Sequence, residues 1–290
     1  MTKSISANAR KTAIVKTPTR RTDPLRVLSS LTPRDRFLMD LIAEHQVFTT
    51  AQLADIAFVG ISTAQRRLVR LYRLDVLDRF RWHVAQGSIE WRYTLGPVGA
   101  SLVAASREKD PPRPSEMRRR TMRLSNSPRL EHLLGCNGVF AALMGHARCC
   151  PDAELEDWWS ERYCAERYGE IVRPDAYAAW AEGGRRVEFF FEYDTGSESL
   201  GRLVDKLPGY ADLADAGGPA IPVLFWLQTS AREADFRRLL RRPPVPVATT
   251  TAELVSALGG CSADEVWLAV GDGCRRRLVD LESRRAPART

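Results

Sequence analysis

Asp175, Glu192, Asp194 and Lys206 fall within one stretch of the 290-residue chain, Ile171 to Tyr210. Acids at such spacing repel one another unless a proton, a lysine or a divalent cation lies between them. All-oxygen ligand sets suit magnesium or manganese. Lys206 adds a compact ammonium that can touch a water or a developing phosphorane. Its identity is informative, because the chain holds 43 basic residues, only five of them lysines, and Lys206 is the only lysine after Lys109. A salt-bridge network built from the same acids and lysine is the competing reading.

The elements that must position these groups follow from local pattern. Ile171 to Tyr177 predicts a strand, with Pro174 at an edge or bulge because it cannot donate to a ladder. Glu182-Gly183-Gly184 turns the chain, and Val187 to Asp194 returns with Val187, Phe189 and Phe191 on one face and Glu188, Phe190, Glu192 and Asp194 on the other. A hairpin closed at that turn brings Asp175 opposite Glu192. Thr195-Gly196-Ser197 ends the strand. The helix that follows carries an apolar stripe of Leu203, Leu207 and Tyr210 beside Lys206, and Pro208 should kink it.

Residues 31–106 predict a nucleic-acid reader. Thr32, Pro33 and Asp35 make a helix start, with Phe37, Leu38, Leu41 and Ile42 as its buried stripe. Thr49 or Thr50 caps a second helix to Phe58, and Val59-Gly60 forms a short turn. The third helix, from Ser62 to Tyr72, packs Leu68, Leu71 and Tyr72 inward. It points Ser62, Thr63, Arg66, Arg67 and Arg70 outward, toward base edges and phosphates. Leu77 to Trp82, which carries Arg81, and Trp91 to Leu95 alternate as the strands of a wing. Three helices and a wing make a winged helix-turn-helix, a module that also serves in protein–protein contacts.

Pro174-Asp175, a hairpin, then Glu192-Tyr193-Asp194 resembles the PD-(D/E)XK nuclease core. Asp194 stands where that core usually has its lysine, and Lys206 sits on the next helix as in migrated-lysine variants. With the winged helix before it, the chain resembles the replication-relaxation family of plasmid proteins from about Leu31 to Leu240. The resemblance implies an α/β (α+β) chain with a restriction-endonuclease-like second domain. It implies a site of Asp175, Glu192, Lys206 and Asp194, with Mg2+ or Mn2+ on Asp175 and Glu192 and a further ligand, Glu131, from the domain's first helix beside His132.

The expected organisation is a disordered basic tail (1–30), the winged helix (31–106), a basic Pro-containing linker (107–128), the nuclease-like domain (129–274) and a second basic tail (275–290). Charge follows the same division. Residues 1–31 carry seven Lys/Arg against one acid and 107–129 eight against three, whereas 130–274 carry 13 against 23. Basic arms flanking an acidic domain fit salt-sensitive phosphate binding. Within the second domain, Leu155 to Trp159 and Ile221 to Leu227 predict strands. Thr229 or Ser230 caps the next helix, with Ser230 and Glu233 as a capping box. Val245–Ala248, Ala252–Leu258 and Val266–Val270 complete the layers.

Six cysteines show no CxxC spacing and imply no zinc site, and the four histidines exclude a two-histidine relaxase motif. Absent Gly-rich phosphate loops leave nucleotide hydrolysis without support, and no apolar run predicts a membrane span. A cytoplasmic, plasmid-associated protein is expected, with double-stranded origin DNA, replication or conjugation proteins and a homodimer among its partners. Two functional classes follow. One is a metal-dependent nicking enzyme, and the other a non-catalytic, sequence-specific DNA-binding protein for an origin or promoter.

Overall fold

A computed structural model describes residues 24–82 and 90–281. The wing tip, 83–89, and most of both expected tails lie outside these residues. The chain forms two compact units that meet in sequence at Asn137 and Gly138.

The first unit begins with α1 (Pro24–Leu28), α2 (Pro33–His45), β1 (Phe48–Thr49), α3 (Thr50–Ala57) and α4 (Ile61–Arg73). It continues with β2 (Leu77–Phe80), β3 (Arg92–Leu95), α5 (Pro97–Ser106), α6 (Pro114–Ser125) and the start of α7 (Leu130–Cys149). Its antiparallel sheet has the order β1-β3-β2. The starts of α2 and α3 are those the sequence predicts. Thr32 and Asp35 form a reciprocal capping box on α2, and Thr49 and Gln52 do the same on α3, which satisfies otherwise orphaned N–H groups.

Several expectations change here. Residues 24–30 are not part of a disordered tail: α1 buries Val27, and Leu31 after it is buried too. Phe37 is exposed and Met39 takes its place in the stripe of α2. The stretch 107–128, read as a linker, contains α6, whose Met117, Thr121 and Ser125 are buried. The four-residue spacing of these residues gives the helix an inward face.

The second unit takes up α7 and continues with β4 (Ala153–Ser160), α8 (Glu161–Tyr168), β5 (Ala176–Glu182), β6 (Arg185–Tyr193), α9 (Leu200–Val204) and α10 (Leu207–Asp215). Then come β7 (Val223–Leu227), α11 (Ser230–Leu239), β8 (Val247–Thr251), α12 (Ala252–Leu258), β9 (Leu268–Ala269) and a short 3-10 helix (Leu278–Asp280). The six strands lie in sequence order. The β6–β7 and β7–β8 pairs are parallel and the others antiparallel. The protein is therefore a mixed α/β chain with two separate sheets.

Strand β6 is buried on both faces, which accounts for its unbroken aromatic run. Phe189 stacks on Phe140 of α7 at 6.4 Å between ring centroids, and Phe191 meets the same ring edge-on at 5.2 Å. Phe190, on the other face, meets Tyr210 at 5.1 Å and Tyr177 at 6.0 Å. Strand β5 starts at Ala176, later than the expected Ile171. Pro208 does more than kink the following helix. The chain breaks between α9 and α10, Pro208 enters the first turn of α10, and Lys206 becomes the residue that caps it. A proline there removes no needed N–H donor.

The expected tail from 275 belongs, as far as Leu281, to this unit. Arg275, Arg276 and Arg277 pair with Glu233, Asp272 and Glu182, and Leu278, Val279 and Leu281 are buried. Thr229 caps α11, and Glu233, expected in a capping box with Ser230, turns inward to Arg275 and Thr249. A fully desolvated carboxylate requires such partners more than a helix end requires a second cap.

Candidate active site

The β5–β6 hairpin sets the first two groups. Ala176 pairs with Phe191, so one step further Asp175 faces Glu192, as the sequence predicts. Asp175 is 7% exposed, and its Oδ2 accepts a hydrogen bond from the Tyr193 amide at 2.8 Å. Glu192 is 1% exposed.

The broken helix supplies the counter-groups. Lys206 Nζ donates to Glu192 Oε2 at 2.5 Å, and the Tyr210 hydroxyl donates to Oε1 at 2.5 Å. Residues 206 and 210 are one helical turn apart and therefore present to the same side. The Lys206 side chain keeps 33% exposure, so the cluster communicates with solvent through it.

Burial, reinforced by the Asp175 carboxylate, raises the Glu192 carboxyl to about 7, against the opposing pull of Lys206 and Tyr210. Burial alone would depress the Lys206 ammonium, but the Glu192 and Asp175 carboxylates outweigh it and raise its pKa. Tyr210 is pushed far up, first by burial and then by Glu192. It is thus a hydrogen-bond donor and not a phenolate nucleophile. Glu192 is the member of the cluster that titrates near neutrality.

A raised carboxyl pKa means that the folded state holds its proton more tightly than the unfolded state does. Stability is therefore lost as pH rises from the unfolded value, near 4.5, to the folded value, near 7. Glu192→Gln removes this dependence. Relative to wild type, the variant should become progressively more stable between those limits, with no further gain above them. Urea melts at pH 5, 6, 7 and 8 measure the difference, and a constant offset would refute the assignment.

Asp194 is directed elsewhere. Its carboxylate is clasped by Arg232 of α11, through Nε to Oδ2 and through Nη2 to Oδ1 at 3.0 Å, and it also accepts from the Gly196 amide at 2.9 Å. Its charge is therefore answered by Arg232 and not by Lys206. Glu131, on the part of α7 that belongs to the first unit, pairs there with Arg92 at 3.1 Å. Arg232 escaped the sequence reading because no local periodicity links positions 38 residues apart. Tyr210 was legible as a buried residue, but its bond to Glu192 was not.

Asp175 and Glu192 fit a hard divalent ion in kind, since magnesium is commonly held by one or two carboxylates together with substrate phosphates and water.

On the first unit, Ser62, Thr63, Arg66 and Arg70 are exposed along α4. Arg67 is not available with them. Its guanidinium binds the fully buried Asp35, with Nε to Oδ1 at 2.8 Å, and reaches Ser30 O at 3.3 Å. Arg81 lies over the Trp91 ring at 4.5 Å, and Arg79 is stacked between Trp91 and Tyr72.

A family model described as replication-relaxation matches residues 39–223. The chain belongs to the replication-relaxation family. That membership ties this replication-relaxation protein to plasmid replication. The matched segment includes α4, the hairpin, Lys206 and Tyr210, while Arg232 lies beyond it. No curated protein and no solved structure matches this family member. Among its described residues, no helix is long and apolar enough to cross a membrane.

Proposed function

We propose that this replication-relaxation protein binds double-stranded plasmid DNA through a winged helix in its first unit and nicks it by metal-dependent phosphodiester hydrolysis in a PD-(D/E)XK-like second unit. The observation that carries the reading is the buried Glu192 carboxylate, opposite Asp175 and held by a lysine that reaches solvent. Bound Mg2+ or Mn2+ would polarise the phosphate and acidify a water. The chain's own residues do the remaining work. Asp175 and Glu192 furnish the anionic oxygens, and Tyr210 fixes the orientation of Glu192. Lys206 can turn its ammonium toward a phosphate oxygen as negative charge develops. Hydrolysis at one phosphodiester relaxes a supercoiled circle.

Conversion of supercoiled origin plasmid to open circles by the wild-type protein, with Mg2+ or Mn2+ and not with chelator, tests the proposal. The second reading, a non-catalytic origin-binding protein, draws on a specific observation: both Glu192 oxygens and both Asp194 oxygens already engage groups of the chain itself. In that case no metal supports cleavage although DNA is bound.

DNA binding rests in either reading on α4. Val59, 95% exposed, and Ile61 precede Ser62 and Thr63, which places apolar groups suited to thymine methyls beside hydroxyls suited to base edges. Arg66→Ala with Arg70→Ala should weaken binding and lower the slope of log K against log salt by about 2, roughly one per lost phosphate contact. Titrations across a salt series read this directly, and an unchanged slope would remove α4 from the interface.

A further inference from the structure

A second group of ligand-type side chains lies in the unit that holds β4 to β9. A ring nitrogen of His146, Sγ of Cys261 and a carboxylate oxygen of Asp264 all lie within 4.8 Å of one another, and all three residues are half-buried. His146 is in the last turn of α7, and Cys261 and Asp264 are on the loop that follows α12. Their juxtaposition is built by the fold and is not a chance meeting of surface chains.

The loop is fixed on both sides of the cluster. Buried Ser262 donates its hydroxyl to Val139 O at 3.4 Å, on the helix that carries His146. Trp267 Nε1 donates to Ser262 O at 2.7 Å, and the Leu278 amide to Ala263 O at 3.1 Å. The Cys261 amide donates to Asp264 Oδ2 at 2.6 Å, and the Ala263 amide to Cys261 Sγ at 3.1 Å. A Cβ on Gly260 would stand 2.7 Å from Asp264 Oδ2. A side chain there would displace the carboxylate, so the glycine keeps Asp264 in place.

His146 is held in turn. Its Nε2 lies 3.1 Å from Glu182 Oε1. Glu182, 5% exposed, is itself fixed by Trp180 Nε1 at 3.2 Å and Arg277 Nη2 at 2.5 Å. A carboxylate beside Nε2 selects the tautomer with the proton on that nitrogen and leaves the Nδ1 lone pair for a metal. Histidine ligands are commonly oriented by this kind of carboxylate. Charge also closes: one thiolate and one carboxylate neutralise a divalent ion, while Arg277 neutralises Glu182.

We propose that His146, Cys261 and Asp264 form a site for one zinc-class divalent cation, with Glu182 as the positioning residue for the imidazole. Nitrogen, sulfur and oxygen ligands together suit a borderline-soft ion and not magnesium. Three protein ligands leave a fourth, tetrahedral position for water or an incoming group. The site shares no residue with the Asp175–Glu192 pair. Cysteine spacing could not reveal it, because only one of its ligands is a cysteine and the histidine lies 115 positions earlier in the chain.

The test uses the full chain, stripped by chelator and dialysed. Zn2+ is titrated in competition with a chromophoric indicator, and Co2+ is titrated to follow the thiolate-to-metal absorption band. The expected result is one tight equivalent and a charge-transfer band, both lost in Cys261→Ser and in His146→Ala. Glu182→Gln should bind about 10- to 100-fold more weakly. Circular dichroism of the stripped variants checks their fold, and Asp264→Asn serves in place of either substitution if that variant unfolds. No saturable binding, or an equivalent that survives in both ligand variants, overturns the proposal.

Discussion

Asp175→Ala should abolish conversion of supercoiled plasmid to open circles while leaving gel-shift affinity for the same DNA unchanged. In the proposed nicking site Asp175 and Glu192 are the carboxylates that would hold the divalent ion, Asp194 being clasped by Arg232. Loss of either ligand leaves a single carboxylate, too few to fix an ion against a substrate phosphate. Lys206→Ala should lower the rate by about 10²- to 10³-fold, the usual effect of removing one preorganised donor to a charged transition state. Lys206→Arg discriminates further. If the residue only neutralises Glu192, arginine restores function. If it must place a compact ammonium on oxygen, arginine does not. Should the wild-type protein leave the plasmid supercoiled in magnesium and manganese while still shifting the DNA, the nicking reading fails and the origin-binding reading stands.

The largest effect on stability should come from Arg67→Ala. The Asp35 side chain is fully buried and accepts from Arg67, from the Thr32 amide at 2.7 Å and from the Thr32 hydroxyl at 2.7 Å. Burial alone would raise its carboxyl, but the hydrogen bonds of Arg67 and Thr32 more than offset this and hold it below its ordinary value. Removing the guanidinium strands a desolvated carboxylate, which typically costs about 3–5 kcal/mol. Urea denaturation followed by tryptophan fluorescence measures the loss. Because Asp35 has a depressed pKa, its contribution is present above the unfolded value and fades as pH falls toward the folded one. The Arg67 defect should therefore be larger at pH 7 than at pH 3. A loss of DNA affinity at unchanged stability would instead mean that Arg67 faces the nucleic acid.

Local signals carried much of this structure. Capping residues Thr32, Thr49 and Thr229 mark their helices because each cap is decided within four residues. The alternation through Val187 to Glu192 sets the hairpin faces because the strand period is two. The facing of Asp175 and Glu192 needed only those faces and the Gly183-Gly184 turn. What was not legible depends on distant partners. Arg67 reads as an outward arginine on its own helix, and only the neighbouring helix's buried Asp35 reveals its structural task. Asp194 looks like a ligand until Arg232, brought in from α11, takes both its oxygens. Phe37 fits the apolar pattern of α2, yet it is exposed while Met39 is buried. Arg275 to Arg277 look like a basic tail, but acids scattered from Glu182 to Asp272 draw them into the fold.

The β5–β6 register has a consequence for how this chain can diverge. Seven paired positions, from Glu182–Arg185 to Ala176–Phe191, separate the Gly183-Gly184 turn from the facing acids, a span of about 24 Å at the rise of an antiparallel strand. Both glycines have positive φ, +59° and +74°, so the turn closes with the fewest residues such a reversal allows. An insertion of a single residue within either strand of the hairpin would reverse the faces of everything beyond it, exchanging Glu192 with its apolar neighbour Phe191. Lineages can therefore lengthen this hairpin at the turn itself, or by matched pairs in both strands, and keep the acids together. Odd-numbered changes in one strand would separate them without altering a single residue of the site.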